Sequence, residues 1–103
     1  MPSFQDMKKL WELQKKAKAM QKELKETEVE AKSGDGKISV VMNGEMHLKG
    51  LSIDESLLSP GNRANLENQL KTVFAEALSR TQALSAEKAK EMMGDMGMKL
   101  PGL

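Results

Sequence analysis

The sequence predicts an α+β fold in which a three-stranded antiparallel meander lies between two long helices. Three observations lead to this prediction. Apolar residues recur with helical spacing over residues 3–26, alternate with a period of two over residues 27–53, and return to helical spacing over residues 61–93. The 103 residues fit one domain, 1–103, and the sequence contains no internal repeat.

The first helix is predicted from Ser3 to Glu26. Ser3 is a suitable N-cap, and Asp6 can complete a capping box with Asp in place of the usual Glu. The apolar residues that follow are spaced alternately three and four apart, which is the spacing of a heptad seam. We call them the helix-one seam: Leu10, Leu13, Ala17, Met20, Leu24 and Thr27. A helix about 36 Å long with so narrow an apolar stripe is expected to project beyond the compact body.

Three strands are predicted between residues 27 and 53. A Ser-Gly-Asp-Gly turn at 33–36 separates the first strand from the second. Asn43-Gly44 predicts a two-residue hairpin, because both residues tolerate a positive φ. In the third strand the apolar phase changes at Gly50, which predicts a β-bulge at that position. The inner face of the second strand is predicted to consist of Ile38, Val40 and Met42.

The second helix is predicted over residues 61–93, with Pro60 suited to a first helical position. Its apolar stripe is wider than the helix-one seam and should supply most of the cover for the sheet. The stripe consists of Leu66, Leu70, Val73, Phe74, Ala77, Leu78, Thr81 and Leu84. Gly94 and Gly97 predict the end of the helix, and residues 94–103 are predicted to form a flexible tail.

Positive charge is concentrated at the start of a nearly neutral chain. The formal net charge is +1, yet residues 1–25 carry seven lysines and three acidic residues, and the remainder is net acidic. With Leu10 at heptad position a, Lys8, Lys15 and Lys22 occupy f, directly opposite the seam. Lys18 and Lys25 occupy b, and Lys9 and Lys16 occupy g. We call these seven side chains the lysine stripe.

Two interpretations of the lysine stripe remain open. Outward faces of helices are normally charged and lysine is a good helix former, so the stripe is compatible with a solvated surface. The stripe also repeats about every 10 Å, and a duplex presents phosphates at comparable spacing along its grooves. The first helix contains no Arg and no Asn, and its few Gln residues are Gln5, Gln14 and Gln21. Contacts between lysine and phosphate would be mostly indifferent to base sequence. Trp11, among the lysines, is compatible with packing on a partner helix or stacking on a base.

No catalytic, metal or cofactor site is predicted. The single histidine, His47, has no nucleophile or orienting partner at a suggestive spacing. The absence of cysteine excludes disulfides and thiolate metal sites, and it is compatible with a reducing cytoplasm. Gly34-Asp35-Gly36 precedes a strand and is expected to be a turn, and Asp54 is expected to be a helix N-cap.

No membrane association is predicted either. The chain has neither an apolar run long enough to span a bilayer nor a secretion signal, so the cytoplasm is the expected compartment. We expect a protein that is not an enzyme and has no small-molecule substrate.

The order of these features resembles the YbaB/EbfC family of bacterial nucleoid-associated proteins. The segments that carry the resemblance are LQKKAKAMQKEL at 13–24, VVMNGEMHLKGLSIDESLL at 40–58, Leu66-Glu67 with Leu70, and LPGL at 100–103. The resemblance implies an α-β-β-β-α protomer and a homodimer paired through its sheets and second helices. The long first helices would then project like the arms of tweezers.

The family resemblance also implies mostly non-specific binding to double-stranded DNA and a role in organising the nucleoid. The DNA contacts that it implies are Lys8, Lys9, Lys15, Lys16, Lys18, Lys22 and Lys25, with Arg80 on the second helix as a weaker candidate. Two departures from the family pattern, at Asn68 and Glu76, concern function more than fold. The alternative is a homodimeric interaction module that does not bind DNA and docks a protein partner through the helix-one seam.

Overall fold

The computed structural model describes residues 3–95, which form two long helices and a three-stranded sheet. Helix α1 spans Phe4–Glu26, the strands are β1 (Glu28–Lys32), β2 (Ile38–Asn43) and β3 (Leu48–Ile53), and helix α2 spans Arg63–Asp95. Two 3₁₀ turns, Glu55–Leu57 and Pro60–Asn62, connect β3 to α2. The strands pair antiparallel in the order β1-β2-β3. The predicted α+β class and α-β-β-β-α order are therefore confirmed.

A capping box starts α1, as predicted. The Ser3 hydroxyl accepts a hydrogen bond from the Asp6 amide at 3.2 Å, and the Asp6 carboxylate accepts one from the Ser3 amide at 3.2 Å. Two amides that would otherwise lack partners at the start of the helix are thereby satisfied. At the other end, Thr27 is extended and its amide donates to the Glu23 carbonyl at 2.9 Å. The chain passes from this C-cap directly into β1.

The core lies between one face of the sheet and α2, which packs mainly on β1 and β2. From the strands, the buried side chains are Ala31, Ile38, Val40 and Met42, which include the predicted inner face of β2. From α2, the buried side chains are Val73, Ala77 and Thr81, and Leu66, Leu70 and Phe74 pack partly buried against the core. The Thr81 hydroxyl donates to the Ala77 carbonyl at 2.8 Å, so burial does not leave it without a partner.

A β-bulge interrupts the pairing of β3 with β2, beside Gly50 as predicted. Val41 pairs with Gly50 but Met42 pairs with Leu48, so Lys49 is the extra residue. In a regular ladder Leu48 would oppose Asn43 and point to the other face. The bulge instead places Leu48 opposite Met42, so that Leu48, Leu51 and Ile53 share the face that carries the core.

The predicted two-residue hairpin at Asn43-Gly44 is wrong in its geometry. The Asn43 amide donates to the His47 carbonyl at 3.0 Å and the Met46 amide donates to the Asn43 carbonyl at 2.9 Å, which leaves a three-residue loop. Positive φ occurs at Met46 (66°), and among residues 3–95 the only glycine with a positive φ is Gly36. A type I turn followed by a left-handed residue fits this pattern. Asn43 and Gly44 are required for a different reason, described below.

The bounds of α2 differ slightly from the prediction. Pro60 begins a 3₁₀ turn instead of the α-helix, which starts only at Arg63. At its other end the helix continues past Gly94 to Asp95, because a single glycine costs only about 1 kcal/mol in a helix interior. Gly97 and the predicted tail beyond Asp95 lie outside the described residues.

The Gly34-Asp35-Gly36 segment is a turn between β1 and β2, as expected. The pKa of Asp35 lies below its ordinary value of 3.8, first because the Ser33 hydroxyl donates to its carboxylate and second because the Lys37 amide does so at 3.0 Å. Gly36 adopts a φ of 73°, which suits glycine. Asp54 caps the first 3₁₀ turn by accepting from the Ser56 amide at 2.8 Å, which confirms its predicted capping role.

Candidate nucleic-acid interface

Helix α1 is attached to the rest of the chain through its C-terminal half. Every residue from Ser3 to Trp11 is exposed, and the only fully buried side chain of the helix is Leu24. The molecule is accordingly elongated, with principal extents of 68 × 26 × 20 Å. The first turns of α1 therefore stand clear of the core, as the narrow helix-one seam predicted.

The buried side chain of Asn43 fixes the C-terminal end of α1 to the sheet. Its Nδ2 donates to the Lys25 carbonyl at 3.3 Å, and its Oδ1 accepts from the amides of Glu45 and His47, both at 3.0 Å. Asn43 has no solvent exposure, so water does not compete for these bonds. One side chain thus ties the end of the helix to the turn between β2 and β3.

Gly44 lets the backbone of α1 approach this turn closely. Its amide donates to the carbonyls of Leu24 at 2.8 Å and Thr27 at 3.0 Å. A Cβ atom on Gly44 would lie 2.7 Å from the Leu24 carbonyl oxygen and 2.9 Å from the Leu24 Cα, both of which are backbone atoms. Glycine is required here by close packing, and not by a positive φ.

Two side chains of α2 complete the attachment of α1. The Ser85 hydroxyl donates to the Gly44 carbonyl at 2.8 Å, and the Lys88 ammonium lies 2.6 Å from the Glu23 carboxylate. The hydrogen bond to Glu23 is the main reason that the pKa of Lys88 is raised above its ordinary value of 10.5. These contacts join positions 41 and 65 residues apart. No local pattern in the sequence could have indicated them.

The lysine stripe lies on the exposed side of α1. Six of its members are exposed, and Lys16, beside the seam, is half-buried. Within residues 3–95, no carboxylate lies within 4.0 Å of any of the seven ammonium groups. Of the acidic residues on the same helix, Asp6 is part of the capping box and Glu23 is paired with Lys88. The other two, Glu12 and Glu26, lie between the lysine columns, so α1 carries seven lysines against four acidic residues and the stripe is a net positive surface on the protomer.

Trp11 lies in the middle of this surface. It is 62% exposed, and the Lys15 ammonium sits 5.3 Å from the centroid of its ring, within the range of a cation–π contact. A shallow depression on the helix is lined by Trp11, Gln14, Lys15 and Lys18. The exposed indole is thus bordered by two lysines and a glutamine.

Arg80 occupies a different setting. Its guanidinium forms an ion pair with Glu76, and its Nη1 donates to the Glu30 carbonyl at 2.9 Å, which ties α2 to β1. Glu76, one of the departures from the family pattern, is therefore the ion-pair partner of Arg80. The structure brings the seven lysines together on one helix and gives Arg80 a structural role within the protomer.

The helix-one seam is partly covered within the protomer, where α1 contacts α2. Leu24 is buried, and Leu13, Ala17 and Met20 are half-buried. Leu10, at the outer end of the seam, remains 57% exposed. The outer end is therefore the most exposed part of the seam.

Residues 3–95 contain no cluster of three His, Cys, Asp or Glu side chains able to hold a metal ion. None of the helices over the same residues is long and apolar enough to cross a membrane.

An antiparallel meander flanked by two long helices, the first rich in lysine and projecting, defines a class of small α+β protein with a basic arm. A crystal structure of an uncharacterized protein from Helicobacter pylori has the same fold, with a TM-score of 0.78 over 90% of this chain and 99% of that one, at 24% identity. The profile of the YbaB/EbfC DNA-binding family matches residues 1–96, and the chain belongs to this family.

Curated relatives agree with this assignment. A protein of Rhodopseudomonas palustris (strain BisB5) is 42% identical over 97 residues, covering 94% of this chain and 91% of its own. A protein of Nitrobacter winogradskyi is 40% identical with the same coverage of both chains. Both are named nucleoid-associated protein. The resemblance drawn from the sequence is confirmed.

Proposed function

We propose that this protein binds double-stranded DNA through the lysine stripe, with little sequence specificity, and so organises the chromosome or modulates gene expression in the bacterial nucleoid. The observation that carries the proposal is the stripe itself: seven lysines on one projecting helix, with no carboxylate within 4.0 Å among residues 3–95. Membership of a DNA-binding family supports it. We propose no catalytic activity, cofactor or small-molecule substrate.

The mechanism follows from the chemistry of lysine. An ammonium group is a mobile point charge that neutralises a phosphate and releases a condensed counterion, and this release makes binding strongly dependent on salt. Lysine–phosphate contacts carry no information about base sequence. Helix α1 contains no Arg and no Asn, and its few Gln residues, Gln5, Gln14 and Gln21, give it little capacity to read adenine edges.

The functional unit that we propose is a homodimer. Leu48 and Leu51 on β3 are 48% and 49% exposed although they lie on the core-bearing face of the sheet. Leu58 and Leu78 are also exposed, at 58% and 40%. Helix α2 packs mainly on β1 and β2, so the face of β3 has little cover within the protomer. A second copy that covered these leucines would place two lysine stripes on one particle.

The alternative function, a partner-docking module that uses the helix-one seam, has less support. Its docking surface would have to be free, but Leu24 is buried and the seam residues from Leu13 to Met20 are half-buried within the protomer. Six of the seven lysines of the stripe, by contrast, are exposed.

Fluorescence anisotropy with a labelled random-sequence duplex tests the proposal. If about six phosphates are contacted, affinity should fall roughly a thousandfold between about 50 and 200 mM salt. A stripe variant with Lys8, Lys15, Lys18 and Lys22 replaced by Gln should lose binding and keep its circular dichroism spectrum. The matched control replaces the same number of exposed lysines elsewhere, Lys32, Lys37, Lys49 and Lys71, by Gln and should still bind.

Two results would contradict the proposal. Binding that is insensitive to salt would exclude phosphate contacts as the main source of affinity. Equal loss of binding in the stripe variant and the control variant would show that total charge matters and the position of the stripe does not.

Light scattering on the same samples measures the mass of the particle, and a monomer would refute the homodimer. Loss of protein-partner binding in Leu13→Asp, with no DNA binding by the wild type, would favour the docking module.

A further inference from the structure

We propose that Trp11 is a DNA-contacting residue whose indole packs against the sugars and base edges of a duplex while the flanking lysines hold the phosphates. This inference rests on the proposed function, because it assumes that α1 meets DNA. It adds a non-electrostatic contact to a surface so far described only by its charge.

The position of Trp11 is the first argument. At heptad position b it lies on the side of α1 that faces away from the helix-one seam, and its ring is 62% exposed. Lys8 and Lys15 lie one turn before and one turn after it, and Lys18 lies two turns after it. A molecule that contacts these lysines together must therefore also meet the indole.

The chemistry of the ring is the second argument. An indole offers a broad apolar face and a single N–H donor, which suit a surface of sugar rings and base-edge acceptors. In the free protein the Lys15 ammonium rests over the ring at 5.3 Å. A phosphate is a stronger partner for that ammonium than the ring is, so its approach would draw Lys15 away and expose the face of the indole.

Charge selects the occupant of this surface. A second copy of the chain that docked on Trp11 through the same face would bring Lys8, Lys15 and Lys18 against their own counterparts, which is repulsive. A polyanion has the complementary charge, and duplex DNA presents its phosphates on either side of grooves that admit an aromatic wedge.

The experiment uses the full-length chain and two independent readouts. The chain has one Trp and no Tyr, so its intrinsic emission reports Trp11 alone. Addition of random-sequence duplex DNA should change this emission and should protect it from quenching by acrylamide. In anisotropy, Trp11→Ala should weaken binding about tenfold at every salt concentration. The slope of the logarithm of the affinity against the logarithm of the salt concentration should not change, since no phosphate contact is removed. Trp11→Phe should retain most of the affinity.

The matched control is Leu10→Ala, which removes a similarly exposed apolar side chain from the seam side of α1 and should leave DNA affinity unchanged. If the wild type binds DNA while Trp11 emission is unaltered and Trp11→Ala binds within about twofold of it, the inference is wrong and the proposed function stands. If the wild type does not bind DNA even at low salt, the proposed function itself fails. Emission that depends on protein concentration without DNA would show that a second copy covers the ring, which also overturns the inference.

Discussion

Replacing Asn43 by Ala should destabilise the protein more than any other single change to a polar side chain of the turn between β2 and β3. The substitution removes three hydrogen bonds and leaves the Lys25 carbonyl and the amides of Glu45 and His47 without their partner. A typical hydrogen bond contributes about 1 kcal/mol net, so we expect a loss of about 3 kcal/mol. For a domain of this size that corresponds to a fall in thermal midpoint of at least about 12 °C.

Urea unfolding followed by far-ultraviolet circular dichroism measures this loss. Trp11 fluorescence is unsuitable, because the ring is exposed and far from Asn43 along α1. Protein concentration must be the same for both chains, since association would add a concentration-dependent contribution to the free energy of unfolding. The matched control is Asn68→Ala, an exposed asparagine on α2, which should change stability by less than about 0.5 kcal/mol. If Asn43→Ala lowers the free energy of unfolding by less than about 1 kcal/mol, water replaces the side-chain amide of Asn43 and this side chain does not hold the end of α1 to the sheet.

Three further predictions concern the same scaffold. Gly44→Ala should lower the free energy of unfolding in urea by about 1–3 kcal/mol, because the added Cβ would meet backbone atoms. Gly34→Ala, whose Cβ would have nothing within 4 Å, should be close to neutral. Equal effects of the two substitutions would contradict the close-packing argument. The pKa of Asp35 is lowered in the folded protein, so its ionised carboxylate stabilises the fold at pH values above 3.8, the ordinary pKa of the group. This stabilisation is lost as the pH falls through the lower pKa of the folded state. Asp35→Asn should therefore lose less stability in acid than the wild type. The pKa of Lys88 is raised in the folded protein, so its ammonium group stabilises the fold at pH values below 10.5, the ordinary pKa of the group, and this stabilisation is lost as the pH rises through the higher pKa of the folded state. The difference in unfolding free energy between the wild type and Lys88→Met should therefore shrink in alkali and with added salt. An advantage that is constant across pH and salt would mean that packing of the side chain, and not its ion pair with Glu23, is responsible.

Much of the fold was predictable because local periodicity reports which face of an element is buried. The heptad spacing around Leu24, the alternation around Val40 and the change of phase at Gly50 each predicted a feature of the structure that is present. The capping box at Ser3 was predictable for a similar reason, since both of its partners lie within one turn.

Features that depend on distant residues were not predictable. Asn43-Gly44 was identified as a turn from local conformational preference, but its main contacts are with the end of α1, which only the folded chain brings close. The pairing of Lys88 with Glu23 has no local signal for the same reason. That the seven lysines lie on one helix was predictable, because the helix itself was, whereas the contact of Arg80 with the Glu30 carbonyl required the packing of α2 on β1.

The bulge at Lys49 has a consequence for how this chain can change in length. Because Lys49 stands outside the ladder, its deletion would leave Leu48, Leu51 and Ile53 pointing to the side they occupy now, and would merely straighten the edge strand. Deleting or inserting one residue elsewhere in β3 would turn part of that strand over. Natural variants that are one residue shorter in β3 should therefore have lost the residue that corresponds to Lys49.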